Sequence, residues 1–212
     1  MAADRRPSRP ARSSRPAGSI RLIAGQWRSR KLPVPDLPGL RPTPDRVRET
    51  LFNWLAPIIA GSRCLDLFAG TGALGLEAAS RGAAEVWLVE QEPRAVAQLR
   101  ENISRLQADQ VRVVASPVAA FLAQAPAQPF DIAFVDPPYA AGALPSVLAD
   151  LAAGGWLRPG ALIYVEWPQE APPPLPATPW RSMRAGAVRC ALYRWPEAAD
   201  HDSAAAASSV PA

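Results

Sequence analysis

The amino-acid sequence predicts a doubly wound α/β fold: a mostly parallel sheet of seven strands, closed by an antiparallel hairpin and preceded by a small hairpin-and-helix extension. Short apolar segments alternate with amphipathic ones from residue 63 onward. The apolar segments are near-continuous rather than alternating in polarity, as strands covered on both faces are. A glycine-rich turn follows the first of them and opens a helical segment.

Ser19 to Ala24 and Ser29 to Val34 read as two short strands around Gly25-Gln26. Thr43-Pro44-Asp45 reads as a helix start, with a hydroxyl cap, a proline in the first turn and an acid near the positive end. Val47, Leu51, Trp54, Leu55 and Ile58 then recur at helical spacing. Strand and helix follow in turn: Arg63 to Ala69, Ala73 to Arg81, Glu85 to Glu90, Pro93 to Leu106, Val111 to Ala115, Val118 to Ala125, Phe130 to Val135, Leu144 to Ala153 and Ala161 to Glu166. A proline-rich connector, Pro168 to Pro179, leads to a final hairpin of Trp180 to Ala185 and Val188 to Trp195. Four segments result: a disordered basic arm over 1–19, the extension over 20–60, the α/β domain over 61–196 and a disordered tail over 197–212.

Composition narrows the chemistry. The 212 residues suffice for one domain with a sizeable core. The apolar runs are too short to span a bilayer and no secretory signal is visible, so a cytoplasmic location is expected. Cys64 and Cys190 are far apart and in no metal spacing, and they read as reduced thiols. The only histidine, His201, lies in the tail, which argues against histidine-based catalysis and His-rich metal sites. Residues 1–60 carry 12 Lys+Arg against 4 Asp+Glu, net +8; residues 61–212 carry 11 against 15, net −4. A polyanion contacted by the N-terminal part fits that asymmetry.

The first motif is Asp66-Leu67-Phe68-Ala69-Gly70-Thr71-Gly72-Ala73-Leu74-Gly75. Glycines let the backbone turn tightly and approach a ligand, and the helix N-terminus beyond them suits a carboxylate or a pyrophosphate. The spacing also fits a dinucleotide fingerprint. Asp66 before the turn, able to meet an ammonium group, tilts the choice towards S-adenosylmethionine, as does the long segment in front. Glu90, at the end of the next strand, is placed to hold ribose hydroxyls, with Gln91 beside it.

The second motif, Asp136-Pro137-Pro138-Tyr139, ends the fourth strand of the alternating series. Ligands of doubly wound sheets sit beyond the carboxyl ends of the strands, so it faces the same crevice. Two prolines fix the backbone and remove two N–H groups, leaving carbonyls to accept. An ionised Asp136 is acceptor-only. Tyr139 offers a face for stacking, worth about 1–3 kcal/mol per base. Accepting both N–H groups of an exocyclic amine localises its lone pair. Methylation of an amine on a flat group follows, with no metal required because the donor is cationic. A base amine or a glutamine amide both meet that description, and a nonenzymatic RNA-binding factor on the same scaffold is the alternative outside enzymes.

Two further runs carry a resemblance. Arg21 to Pro35 (RLIAGQWRSRKLPVP) and Gly39 to Leu55 (GLRPTPDRVRETLFNWL), with the two motifs and Ala161 to Glu166, resemble the RsmD family, the bacterial 16S rRNA (guanine(966)-N(2))-methyltransferases. The resemblance covers roughly residues 20–196. It implies a Rossmann-like methyltransferase domain, S-adenosylmethionine as cofactor, and a guanine N2 of 16S rRNA in the assembling small ribosomal subunit as substrate. A monomer is expected. By the same resemblance Asp66, Phe68, Ala69, Gly70, Thr71, Gly72, Glu90, Gln91, Ser116 and Val118 hold the cofactor, and Asp136, Pro137, Pro138 and Tyr139 the guanine amine. Arg28, Arg30, Lys31, Arg41, Thr43, Arg46 and Arg48 are assigned to the RNA. One departure stands out: where related enzymes place Asp or Asn to read adenine, this chain has Ala115-Ser116-Pro117-Val118.

Overall fold

The computed structural model describes residues 18–38, 43–138 and 142–196. The expectations for the basic arm up to residue 17, for Arg41, for Tyr139 and for the tail from 197 lie outside the described residues. In chain order the elements are β1 (Gly18–Arg21), β2 (Lys31–Val34), α1 (Asp45–Leu55), β3 (Arg63–Asp66), α2 (Ala73–Ser80), β4 (Glu85–Glu90), α3 (Pro93–Leu106), β5 (Val111–Ala115), α4 (Val118–Leu122), β6 (Phe130–Val135), α5 (Leu144–Ala153), β7 (Leu157–Pro168), β8 (Arg181–Ala185) and β9 (Val188–Arg194).

Seven strands form one sheet in the order β5-β4-β3-β6-β7-β9-β8, and β1 pairs with β2 in a separate hairpin. Pairing is parallel from β5 to β7; β9 runs antiparallel to β7, and β8 to β9. Alternate strand residues serve opposite faces, as the two-residue period requires. Cys64, Leu88, Phe134, Tyr164 and Leu192 pack with α1, α2 and α3 on one face. Leu65, Val89, Val135, Val165 and Tyr193 pack with α4 and α5 on the other. This two-sided burial is why the strands read as unbroken apolar runs.

Several boundaries differ from the sequence reading. β1 starts at Gly18, inside the segment expected to be an arm, and ends at Arg21. β2 starts at Lys31 because Ser29, at φ 66°, turns the chain before it. Thr43 does not cap α1: the cap position is Pro44, without a side-chain hydrogen bond, and Thr43 instead offers its carbonyl to Arg48 Nε at 3.2 Å. Ile58 lies beyond the helix and is 41% exposed, whereas Phe52 is buried with its ring 5.9 Å from that of Phe134. β3 ends at Asp66, three residues early, where the chain peels into the glycine turn. β7 begins at Leu157, earlier than Ala161, because Pro159 and Gly160 sit in a register shift of the strand rather than ending it.

The extension is fastened to α2. Glu77, fully buried on that helix, accepts from Ile23 N at 2.7 Å, Ala24 N at 3.1 Å and Arg81 Nε at 2.7 Å. Ser80 Oγ donates to the Ala24 carbonyl at 2.6 Å and accepts from Trp27 N at 3.1 Å. Gly25, at φ +80°, crosses so close that an added Cβ would stand 1.8 Å from the Ser80 carbonyl oxygen. One helix thus carries the glycine turn at its N-terminus and the basic extension at its C-terminal half.

Candidate active site

Asp66 and Phe134 are register partners, so Asp136 stands two residues further along the same edge. Between them the chain turns. Gly72, at φ 77°, is the cap residue of α2, and a Cβ there would meet Leu99 Cδ2 at 2.6 Å. Gly75 lets α2 pack on β4: its added Cβ would stand 2.2 Å from Leu88 Cδ2. Asp66 is 4% exposed and its Oδ2 accepts from Gly75 N at 2.9 Å, capping the helix from the end of the strand that precedes it. Glu90 Oε2 accepts from Gly70 N at 2.8 Å, and Oε1 from Gln91 N and Glu92 N, each at 2.8 Å. A carboxylate has about four lone-pair sites, so Glu90 keeps one for a hydroxyl donor. The loop conformation and the acidic strand end are therefore one hydrogen-bonded unit. Ala69 and Thr71 are buried in it, Phe68 is half-buried, and the Gln91 side chain is exposed.

Four carboxylates converge on this edge. Burial pushes the Asp66 carboxyl up to about 7, the Gly75 N–H opposes it, and the charges of Asp136 and Glu90 add to it. Burial raises Asp136, whose carboxyl accepts no hydrogen bond from the described residues. Burial, then the Asp136 charge, raise Glu166 at the end of β7. Tyr164 Oη donates to Glu166 Oε1 at 2.7 Å. No arginine or lysine forms an ion pair with any of these four among the described residues. The elevated carboxyls of Asp66, Asp136 and Glu166, without a cation, mark a place that favours a positively charged ligand. Pro137 is buried and Pro138 exposed, so the chain turns outward there. Tyr164 and Glu166 carry no signal of their own in the sequence beyond the run they belong to; their side chains reach the site because β7 lies beside β6. Neither cysteine offers a nucleophile, since burial pushes both thiols up to about 12.

Ser116 sits where adenine would be read. Its Oγ donates to the Pro117 carbonyl at 3.0 Å, which leaves the hydroxyl oxygen free to accept an amine proton. Val118 starts α4 next to it and is half-buried.

A family model described as Conserved hypothetical protein 95 matches residues 20–194. Ribosomal RNA small subunit methyltransferase D of Escherichia coli K12 is 53% identical over 183 residues, spanning 84% of this chain and 91% of that relative. Its namesake in Haemophilus influenzae is 43% identical over 180 residues, spanning 84% and 93%. The chain belongs to the RsmD family. The solved Escherichia coli protein yhhF superposes with a TM-score of 0.79 at 52% identity, covering 85% of this chain and all of that one. An RNA methyltransferase from Salinibacter ruber, solved with S-adenosyl-L-homocysteine, shares the fold at a TM-score of 0.59 and 19% identity, covering 76% of this chain and 98% of that one. The Rossmann-like methyltransferase architecture expected from the sequence is therefore the one present.

Membership of the RsmD family does not place all the expected RNA residues on the surface. Arg28, Arg30, Lys31 and Arg46 are exposed. Arg48 is not: it is fully buried, donating to Asp45 Oδ1 at 2.6 Å and the Arg21 carbonyl at 2.9 Å, with Glu77 Oε2 at 3.7 Å from Nη1. Its assignment to RNA is corrected; in this RsmD-family chain Arg48 ties α1 to β1 and α2. Thr43, half-buried, belongs to the same tie through its carbonyl. A helical wheel cannot reveal this, because the acceptors come from residues 21 and 77.

Proposed function

We propose that this RsmD-family chain is an S-adenosylmethionine-dependent methyltransferase of the exocyclic N2 amine of a guanine in 16S rRNA. The observation that carries the reading is Asp136: a half-buried carboxyl with no hydrogen-bond partner among the described residues, at the strand end beside the glycine turn and followed by two prolines. The residues present fit the cofactor. Asp66, Asp136 and Glu166 favour a cationic centre, the N-terminus of α2 suits its carboxylate, and Glu90 has an acceptor site left for a ribose hydroxyl. Ser116 and the backbone at Val118 face the adenine, with Phe68, Ala69, Gly70, Thr71, Gly72 and Gln91 lining the turn. S-adenosylmethionine, when bound, supplies a methyl group on a positively charged sulfur.

The protein's own share is orientation. Asp136 and the Pro137 carbonyl accept the two N–H groups of the amine, which draws the nitrogen lone pair out of the ring and aims it. Tyr139 stacks on the base. Holding the reacting atoms in line contributes about 7–11 kcal/mol of the barrier lowering in well-oriented systems. A base within a helix is out of reach, so the guanine is taken flipped or single-stranded. Arg28, Arg30, Lys31, Arg41 and Arg46 draw in the RNA backbone. The substrate is the assembling small ribosomal subunit, met in the cytoplasm by a monomer. Among the described residues no helix is long and apolar enough to cross a membrane.

Labelled-methyl transfer to small subunits from a strain lacking the enzyme, followed by mapping of the modified base, tests the reading. Label on a single guanine N2 is expected. Label on adenine, or only on protein, overturns it.

A further inference from the structure

Residues 171–196 contain four arginines and no acidic residue. Two of the arginines have a packing role: Arg181 and Arg194 lie 5.1 and 4.9 Å from the Trp180 ring centroid. Arg184 and Arg189 lie over no aromatic ring among the described residues. They are direct cross-strand partners on β8 and β9, so their side chains share one face, and like charges placed opposite each other destabilise a sheet. Neither forms an ion pair with a described residue.

Arg189 is in turn the cross-strand partner of Trp167 on β7, which is 5% exposed. Arg189 Nε and Trp167 Nε1 are both buried and both without a hydrogen-bond partner among the described residues. Buried donors are ordinarily paired, so two on neighbouring strands, beside a second guanidinium, point to a missing acceptor. Indole and guanidinium groups donate only, and two of the three side chains are cationic. The acceptor they suit is an anionic oxygen.

The location connects this row to the reaction. Val135 pairs with Val165, so Trp167 and Arg189 stand level with Pro137 along the sheet edge. With strands about 4.8 Å apart, the row starts one strand from the clamp and ends roughly 14 Å away. The row lies on the α4/α5 face with Val165 and Trp167, and Asp136 follows Phe134 on the other, so a nucleic-acid chain delivering a base to Asp136 crosses that distance over the end of the sheet.

We propose that Trp167, Arg189 and Arg184 form a phosphate-binding subsite that positions the substrate RNA backbone beside the flipped base. The subsite rests on the RNA-methyltransferase reading given above. It also gives the closing hairpin a task, adding a second basic surface to the N-terminal one.

The test is steady-state methyl transfer to small subunits by the Arg184→Ala/Arg189→Ala variant across a salt series. KM is expected to rise about tenfold, with kcat and S-adenosylhomocysteine affinity unchanged. The slope of log KM against log salt should fall by about one to two, one for each phosphate that is no longer neutralised. Lysine at both positions should recover part of the KM, and Trp167→Phe, which keeps the ring and removes the donor, should raise KM by a smaller factor. A folded double variant with wild-type KM and salt slope overturns the subsite and leaves the methyltransferase reading intact. Loss of kcat together with a lower melting temperature would assign these residues to structure and overturn it equally. A wild-type enzyme that labels no RNA at all would sink the parent reading instead.

Discussion

Replacing Glu77 by alanine removes the acceptor shared by Ile23 N, Ala24 N and Arg81 Nε and the carboxylate nearest to Arg48 Nη1. The side chains of Glu77 and Arg48 are 0% and 1% exposed, so water cannot take the place of the missing partner. Arg48 keeps Asp45, whose side chain is 50% exposed and therefore weakly coupled. Removing one member of a buried ion pair costs about 3–5 kcal/mol, because the other charge stays desolvated. The two backbone donors add little if residues 22–30 lift away and are solvated. For a chain of this size each kcal/mol moves the melting temperature by about 2–4 °C, so a fall of roughly 6–20 °C is expected. Thermal unfolding followed by circular dichroism measures it. Glu77→Gln, which keeps one acceptor oxygen, should fall less, and Arg48→Met combined with Glu77→Leu should regain much of the loss by exchanging charge for packing. A Glu77→Ala protein melting within about 2 °C of wild type would refute the argument. The same variant should weaken RNA binding, since Arg28, Arg30 and Lys31 ride on the segment that Glu77 holds.

Other outcomes follow from the same geometry. Asp136→Ala should abolish methyl transfer while S-adenosylhomocysteine still binds, measured by labelled-methyl incorporation and calorimetry; full activity would remove Asp136 from its role. Cofactor affinity should fall about tenfold per pH unit below 7, because burial holds the Asp66 carboxyl near 7 and a cationic ligand selects its ionised form; a flat affinity between pH 5.5 and 8, set by the range scanned, would contradict this. The ligand-free protein should show the opposite trend. A carboxyl raised in the folded state contributes stability that is present below its ordinary value of 3.8 and lost as pH climbs through about 7, so melting temperature should decline from pH 5 to 8 and decline less in Asp66→Asn. Gly25→Ala should detach the extension, since its Cβ would overlap the Ser80 carbonyl and its φ is +80°; faster proteolysis within residues 18–38 at unchanged cofactor affinity would register it.

The glycine turn was legible because its cause is local. Positive φ at Gly70 and Gly72 is a property of those residues, and the strand and helix around them carry their own periodicity. For the same reason α3, β4, β5, β6 and α5 lie where their apolar spacing placed them, to the residue. Boundaries slipped where a signal had two readings: Pro159-Gly160 serves as well inside a bulged strand as in a turn, and Thr43 is one residue too early to cap α1. The charged residues were less legible still. Arg46 and Arg48 look alike along the helix, yet one is exposed and the other buried against an acid 29 positions away.

What the sequence by itself determined is the run of elements and the identity of the two motifs, because backbone preference and hydrophobic period act over a few residues. Only the tertiary structure decided which charges are spent on the fold and which remain for a ligand. It gathered Asp66, Glu90, Asp136 and Glu166 from four strands onto one edge, gave Glu77 to the extension, and left Arg184 and Arg189 facing one another with no ion-pair partner among the described residues. The free energy of a buried charge depends on what lies within a few ångströms of it, and those neighbours are supplied by packing across the sheet, not by adjacency along the chain.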